Sequence, residues 1–236
     1  MRILAIESSA LVASVAIVEE EQIIAEYTMN YKKTHSQTLM PMLEEISKML
    51  ELDMDSIDAI AISGGPGSFT GLRIGSATAK GIGLALNKPI VNVPTLAAMA
   101  YNAYGITSVI CPIMDARRGQ VYTGLYTFDD LEFKTIMDQD IIMMEELIEH
   151  LNEMGMPVMF LGDGVENFKS TIEEKLKVKY SFAPAHISRQ RASAVAALGI
   201  NYYNQGKTET AAEHGPDYLR LSQAERELKE RQEANK

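Results

Sequence analysis

The chain has 236 residues, 46% of them hydrophobic, with one cysteine and a formal net charge of −10; that is enough apolar material for packed cores in one large domain or two small ones, without disulfide staples. Acidic side chains outnumber basic ones throughout, 11 to 7 over residues 1–100 and 21 to 15 beyond, so the basic stripe of a primary nucleic-acid binder is missing and the isolated chain is expected to bind nucleic acid weakly or not at all. No window reaches the roughly 18 apolar residues of a membrane span, and the N-terminus lacks a signal peptide's apolar segment, so a soluble cytoplasmic protein is expected.

Arg2 to Glu7, Ala13 to Val18 and Ile23 to Met29 are runs of branched residues with short polar connectors, a pattern that predicts an antiparallel meander. Residues 36–50 place Leu39, Leu43, Ile46 and Leu50 at helical spacing, with Thr34 or Ser36 as candidate cap and Pro41 expected to kink the first turns. Strand 57–62, helix 70–86, strand 89–93 and helix 95–103 follow, and this alternation predicts parallel pairing. Near residue 109 the order begins again: strands 109–114, 120–126 and 132–137, helix 144–154, strand 158–161, the turn Gly162-Asp163-Gly164 and helix 165–176. A helix over 193–203 comes next, and the tail from Ser222 is a mixed-charge run with Leu228 as its one large apolar residue, predicted to be a solvated or frayed helix. No residue-level repeat accompanies the repeated order, so duplication rests on the elements alone.

The chain is organised around Ser63-Gly64-Gly65-Pro66-Gly67-Ser68-Phe69-Thr70-Gly71-Leu72-Arg73-Ile74-Gly75. A buried strand enters it and a helix leaves it, the parts of a phosphate cradle. The known codes do not fit, because Gly65-x-Gly67-x-x-x-Gly71 is one residue too long for the dinucleotide fingerprint and no Gly-Lys-Ser or Gly-Lys-Thr closes a P-loop. Tight packing is the plainer reading. Residues 71, 75, 79 and 83 are Gly, Gly, Ala and Gly, one smooth helix face, and each interior glycine costs about 0.8–1.0 kcal/mol relative to alanine. Close approach of another backbone would compensate, with the neighbouring helix carrying Leu39, Leu43 and Ile46 beside it. Arg73 in the first helical turn opposes the dipole by about 0.3–1 kcal/mol, so an anion, or Glu7 or a nearby aspartate, is expected against it.

Catalytic constellations are mostly absent. The histidines His35, His150, His186 and His214 are scattered, no His-x-x-x-His or Cys-x-x-Cys occurs, and the single Cys111 cannot build a zinc site. Gly67-Ser68-Phe69-Thr70-Gly71 has phenylalanine, not serine, at the centre of what could pass for a nucleophile elbow, which argues against a peptidase. His35 reads as a structural hydrogen-bonding group. Arg117 and Arg118 could neutralise phosphates, although paired arginines at a turn are more often solvated or salt-bridged.

The thirteen residues from Ser63 to Gly75 resemble, nearly letter for letter, the signature of the TsaB (YeaZ) family of Gcp-like proteins. Leu4-Ala5-Ile6-Glu7-Ser8-Ser9, His35-Ser36-Gln37-Thr38-Leu39-Met40-Pro41, Asp115-Ala116-Arg117-Arg118-Gly119-Gln120-Val121-Tyr122 and Pro216-Asp217-Tyr218-Leu219-Arg220 extend the resemblance over almost the whole chain. Glu7 stands where the family usually has aspartate, and Gln37 where it usually has glutamate.

The resemblance implies an α/β protein with the duplicated actin-like (ASKHA) fold, two subdomains each with a mixed sheet flanked by helices, which the element order also suggests. The expected division is 1–104, a partner-binding subdomain completed by a segment near 204–236, and 105–203. In that superfold the hairpin turns hold phosphates, so Ser8, Ser9, Gly67, Ser68, Arg73 and Arg117 are the candidates for nucleotide or anion contact. The catalytic TsaD branch carries a His-x-x-x-His metal pair where this chain has Thr95 and Met99. A non-catalytic subunit follows: it pairs with TsaD, acts with the ATPase TsaE, and helps transfer a threonylcarbamoyl group to the adenosine beside the anticodon. The expected partner face is Leu39, Leu43, Ile46, Gly71, Gly75, Ala79 and Gly83, shared by any homodimer of the free protein. No metal or cofactor is expected on this chain alone, tRNA is met only through the complex, and any ATP or ADP belongs to the complex interface. The alternative from the enzyme class is an acetate- or sugar-kinase-like phosphotransferase of the same fold.

Overall fold

The computed structural model describes residues 1–219. The tail from Ser222, Arg220 of the last motif and the end of the 204–236 segment lie outside the described residues. Strands β1 (Arg2–Glu7), β2 (Val12–Glu19) and β3 (Gln22–Asn30) form the first meander, followed by helix α1 (His35–Met49), β4 (Ala59–Gly65), α2 (Phe69–Leu86), β5 (Ile90–Pro94) and α3 (Thr95–Tyr101). The second half runs β6 (Val109–Arg117), β7 (Gln120–Asp129), β8 (Glu132–Met143), α4 (Met144–Met154), β9 (Val158–Leu161), α5 (Gly164–Lys175), β10 (Tyr180–Phe182) and α6 (Ala192–Asn204).

Each half builds a five-stranded sheet, β3-β2-β1-β4-β5 and β8-β7-β6-β9-β10, with the same pattern of antiparallel meander and parallel additions. Two mixed sheets with one topology are the duplicated actin-like fold. Helix α1 has Thr34 at its cap position with no side-chain cap bond, and Pro41 lies inside it.

Alternation along the strands divides the interior into layers. Leu4, Ile6, Val15, Ile17, Ile60 and Ile62 face α1 and α2, where they meet Leu39, Leu43, Ile46 and Ala79. On the other face Ile3, Ala5, Ala16, Ala59, Ala61, Val91 and Val93 join α3, α6 and the inner side of the second sheet. A third cluster packs α4 and α5 against the outer side of that sheet, and in it Cys111 is fully buried and its thiol is pushed up to about 12 by burial.

The central layer is an exchange. Helix α3, from the first half, packs on β6, β7 and β8, whereas α6, within the segment assigned by sequence to the second half, packs on β1, β2, β4 and β5. Alanines on the sheet and Gly199 on the helix permit this: a Cβ at Gly199 would lie 2.9 Å from Ala61 Cβ. The helix is also tied by its first amides. Ala192 N donates to Ser14 Oγ at 3.1 Å, Ser193 N and Oγ donate to Glu26 Oε1 at 3.0 and 2.7 Å, and Arg191 pairs with Glu26. Burial works against the Glu26 charge, but the Arg191 and Ser193 bonds outweigh it and hold the carboxyl below its usual range.

After α6 the chain returns as a strap along the free edge of the first sheet. Ile90 and Glu209 exchange both backbone bonds at 2.9 Å, and Lys80 Nζ donates to the carbonyls of Ala212 and His214 at 3.2 and 2.7 Å. Edge amides that would otherwise invite another strand are thereby paired.

Candidate functional site

The two strand-to-helix turns, β4 into α2 and β9 into α5, end on opposite walls of a cleft between the sheets. In the first turn Gly65 has φ +133°, and a Cβ there would lie 2.3 Å from the Asp217 carbonyl of the strap. Only glycine fits both demands. Asp217 N donates to Gly64 O at 2.7 Å and Asn92 Nδ2 donates to Asp217 Oδ2 at 3.2 Å. The turn then presses on the first hairpin: Ser68 N donates to Ser9 O at 2.6 Å, Ser8 Oγ donates to Gly71 O at 3.0 Å, and a Cβ at Gly67 would reach 2.3 Å from Ser9 O. Ser68 caps α2, its Oγ accepting from Gly71 N at 3.4 Å.

These contacts place two sets of candidate residues. Ser8 and Ser9 are fully buried and bonded internally, Ser9 through N and Oγ to Glu7 Oε1, and Ser9 also borders the cleft between the sheets. The small face of α2 also points inward. Cβ atoms at Gly71 and Gly75 would come within 2.1 Å of Ser8 O and 2.2 Å of Ser8 Oγ; Gly83 is against Ala211 and Lys88 O; Ala79 is 0% exposed. Leu39, Leu43 and Ile46 belong to the same interior. In the folded chain these seven residues pack against its own sheet, hairpin and strap.

Arg73 does not meet Glu7. Its guanidinium lies 3.9 Å from the Phe69 ring centroid and its Nε donates to Tyr218 Oη at 3.1 Å, while the Phe69 and Tyr218 rings meet tilted by 33° with centroids 4.8 Å apart. Glu7 is buried behind the turn, where burial pushes its carboxyl up against the opposing bonds from Ser9, Ser63 and Ser8. Ser63 Oγ and Thr95 Oγ1 are 2.8 Å apart, which continues the polar chain to the head of α3. Thr95 and Met99, 0% and 1% exposed, therefore face the interior. His35 lies beside this hairpin with Nε2 2.8 Å from Ala10 O.

The cleft has a volume of ≈ 610 Å³, and Ser9, Gly67, Ser68 and Arg117 of the anion candidates line it together with Lys33, His35 and three carboxylates, Asp115, Asp163 and Asp217. Arg117 is tied to Asp115, its N donating to Oδ1 at 2.7 Å and Nη1 lying 3.3 Å from Oδ2. Asp115 Oδ2 also accepts from Asn167 Nδ2 at 3.0 Å. Beyond it a second cavity of ≈ 290 Å³ is walled by the second turn and the loop before α6. Burial pushes the Asp163 carboxyl up, opposed by its own amide and by Arg189 and reinforced by Asp115 and Glu166. Among the described residues no group of three or more His, Cys, Asp or Glu side chains is placed to hold a metal ion.

Sequence reasoning expected a segment near 204–236 beside the first half but not its contacts at the first turn, and it missed the second cavity. Asp217 and Tyr218 were visible as a motif without a role, while Gln190 of the α6 loop carried no signal.

Residues 22–228 match the family model described as TsaD, tRNA N6-adenosine threonylcarbamoyltransferase. The tRNA threonylcarbamoyladenosine biosynthesis protein TsaB of Bacillus subtilis is 37% identical over 95% of this chain and 96% of its own, and that of Escherichia coli 30% over 97% and 98%. In fold, the solved structure of YeaZ from Pseudomonas aeruginosa is similar with TM-score 0.76 and 24% identity, covering 92% of this chain and 99% of that one.

Proposed function

The chain belongs to the TsaB family of tRNA threonylcarbamoyladenosine biosynthesis proteins, and on that premise we propose that it is a non-catalytic subunit that scaffolds and activates TsaD, with TsaE, in transferring the threonylcarbamoyl group to tRNA. The observation that carries this reading is the interior fate of residues 95 and 99. Where the catalytic branch has its histidine pair, this chain has a threonine bonded to Ser63 and a methionine in the core, and neither can replace imidazole. The sealed first turn supports it further, because the amide and hydroxyls that would cradle a phosphate are bonded within the protein.

TsaD docks on the 1–104 subdomain, and tRNA and any ATP or ADP are met only through the complex. Since the inward face of α2 is occupied, the docking side chains are the outward ones of α1 and α2: Met40 at 52% exposure, Met49 at 78%, Leu84 at 65%, with Ala77 and Gly81 beside them. The same face serves a homodimer of the free protein.

Reconstitution tests the reading. Purified chain, TsaD and TsaE with threonylcarbamoyl-adenylate and a tRNA transcript should yield modified adenosine at a rate at least tenfold above the mixture lacking this chain. Equal rates with and without it would overturn the proposal. Calorimetric titration with Mg-ATP addresses the phosphotransferase alternative, which requires tight stoichiometric binding and turnover by the isolated chain. Leu84→Asp should abolish pairing with TsaD in light scattering while leaving the unfolding midpoint in place; a variant that still pairs would rule out this face.

A further inference from the structure

The cavity of ≈ 290 Å³ beside the second turn contains polar groups that the protein leaves unanswered. Gln190, on the loop entering α6, lines it and is 2% exposed, yet neither its Oε1 nor its Nε2 has a hydrogen-bond partner. Asp163, on the opposing turn, lines it too, and its buried Oδ1 is likewise unpartnered. Three of the seven such atoms among the described residues thus belong to one small cavity. Leaving such bonds unmade is costly, and buried polar groups in native proteins are met by protein, ordered water or ligand.

The charges around them are already matched. Arg117 and Asn167 hold Asp115, and Arg189 holds Glu166 while donating to Gly162 O. A phosphate would meet the Asp115, Asp163 and Glu166 carboxyls, and a cation would meet two arginines. What remains is a carboxamide with a free donor and a free acceptor side by side, faced by a carboxyl. A planar group with an N–H next to a C=O is its complement.

We propose that this cavity takes the amide or ureido group of a small neutral molecule, whose C=O accepts from Gln190 Nε2 and whose N–H donates to Gln190 Oε1. The volume, just below the roughly 300–1,000 Å³ of ligand pockets, suits a fragment of a few heavy atoms. The site is independent of the TsaD docking face, which lies on α1 and α2.

The test is NMR titration of the ¹⁵N-labelled full chain with N-methylurea and acetamide, beside methyl acetate, which accepts but cannot donate, and inorganic phosphate. Saturable millimolar shifts of the Gln190 side-chain amide and the Asp163 backbone amide are expected with the first two only. Gln190→Leu should weaken binding at least tenfold with an unchanged or higher unfolding midpoint, and Gln190→Glu, which loses the donor, serves if the leucine variant does not fold. Equal shifts with methyl acetate or phosphate, no saturable shift at either residue, or native-like binding by the folded variant would each overturn the proposal.

Discussion

The two strand-to-helix turns occupy equivalent places in equivalent sheets, yet their buried polar groups are answered to different degrees. The first is pressed against the Ser8-Ser9 hairpin and the strap, with Gly65, Gly67 and Gly71 each limited by a backbone oxygen. The second also packs tightly at its glycines, where Cβ atoms at Gly162 and Gly164 would lie 2.2 and 2.9 Å from Ile113 O, but it leaves Asp163 Oδ1 and the neighbouring Gln190 without partners. Duplicated topology therefore does not duplicate chemistry. What lies opposite a turn decides how its polar groups are answered, and among the described residues a strap crosses only the first turn.

The largest test of that contrast sets Gly71→Ala against Gly164→Ala. The first brings Cβ to 2.1 Å from a buried carbonyl oxygen and the second to 2.9 Å. Urea denaturation should show a loss of about 3 kcal/mol for Gly71→Ala and about 1 kcal/mol for Gly164→Ala, within the range of overpacking; equal losses would mean that the turns are equally closed. Next is the strap itself. Tyr218→Ala removes the Phe69 ring contact and the Arg73 bond and should cost about 1 kcal/mol, with faster amide exchange at Gly64 and Gly65.

A smaller effect distinguishes the carboxyls behind the turns. Glu7 and Asp163 both have their pKa raised by burial, so the native state binds protons more tightly than the unfolded chain. Their contribution is full below the unfolded pKa and is lost as pH rises through the folded one. Glu7→Gln, whose Oε1 can still accept from Ser9, should flatten the decline of stability as pH rises above the ordinary carboxylate range, measured by urea unfolding at stepped pH. An unchanged slope would show that Glu7 is charged in the fold. The smallest is Gly81→Ala, on the same helix as Gly71 but with nothing within 4 Å of its Cβ position. It should stabilise the free chain by about 0.5–1 kcal/mol, the opposite sign from Gly71→Ala.

The meanders, the helices and their repeated order were legible because strand and helix periods are local. Helix α2 runs over 69–86 against an expected 70–86, while β10, three residues added beside β9, has no period to read. The site was less legible. A spacing of four told that 71, 75, 79 and 83 share a face, but its neighbour is a polar hairpin turn 63 residues away at Ser8, and polar turns leave no apolar signature of packing. Arg73 raised the right question of what offsets its charge at a helix start, but its answer, an aromatic pair with Tyr218, crosses 145 residues. The unpartnered Gln190 was invisible because a missing bond depends on every neighbour at once.

The exchange of α3 and α6 sets an order in time as well as in space. When residue 104 leaves the ribosome, the first sheet has all five strands but not the helix that covers Ala5, Ala16, Ala61 and Val93. A further 100 residues must be translated to reach Asn204, which at about 5–20 residues per second takes roughly 5–20 s. Through that interval one apolar face of a finished sheet waits uncovered, so the emergence of α6, not the completion of the first half's own strands, lets that sheet close.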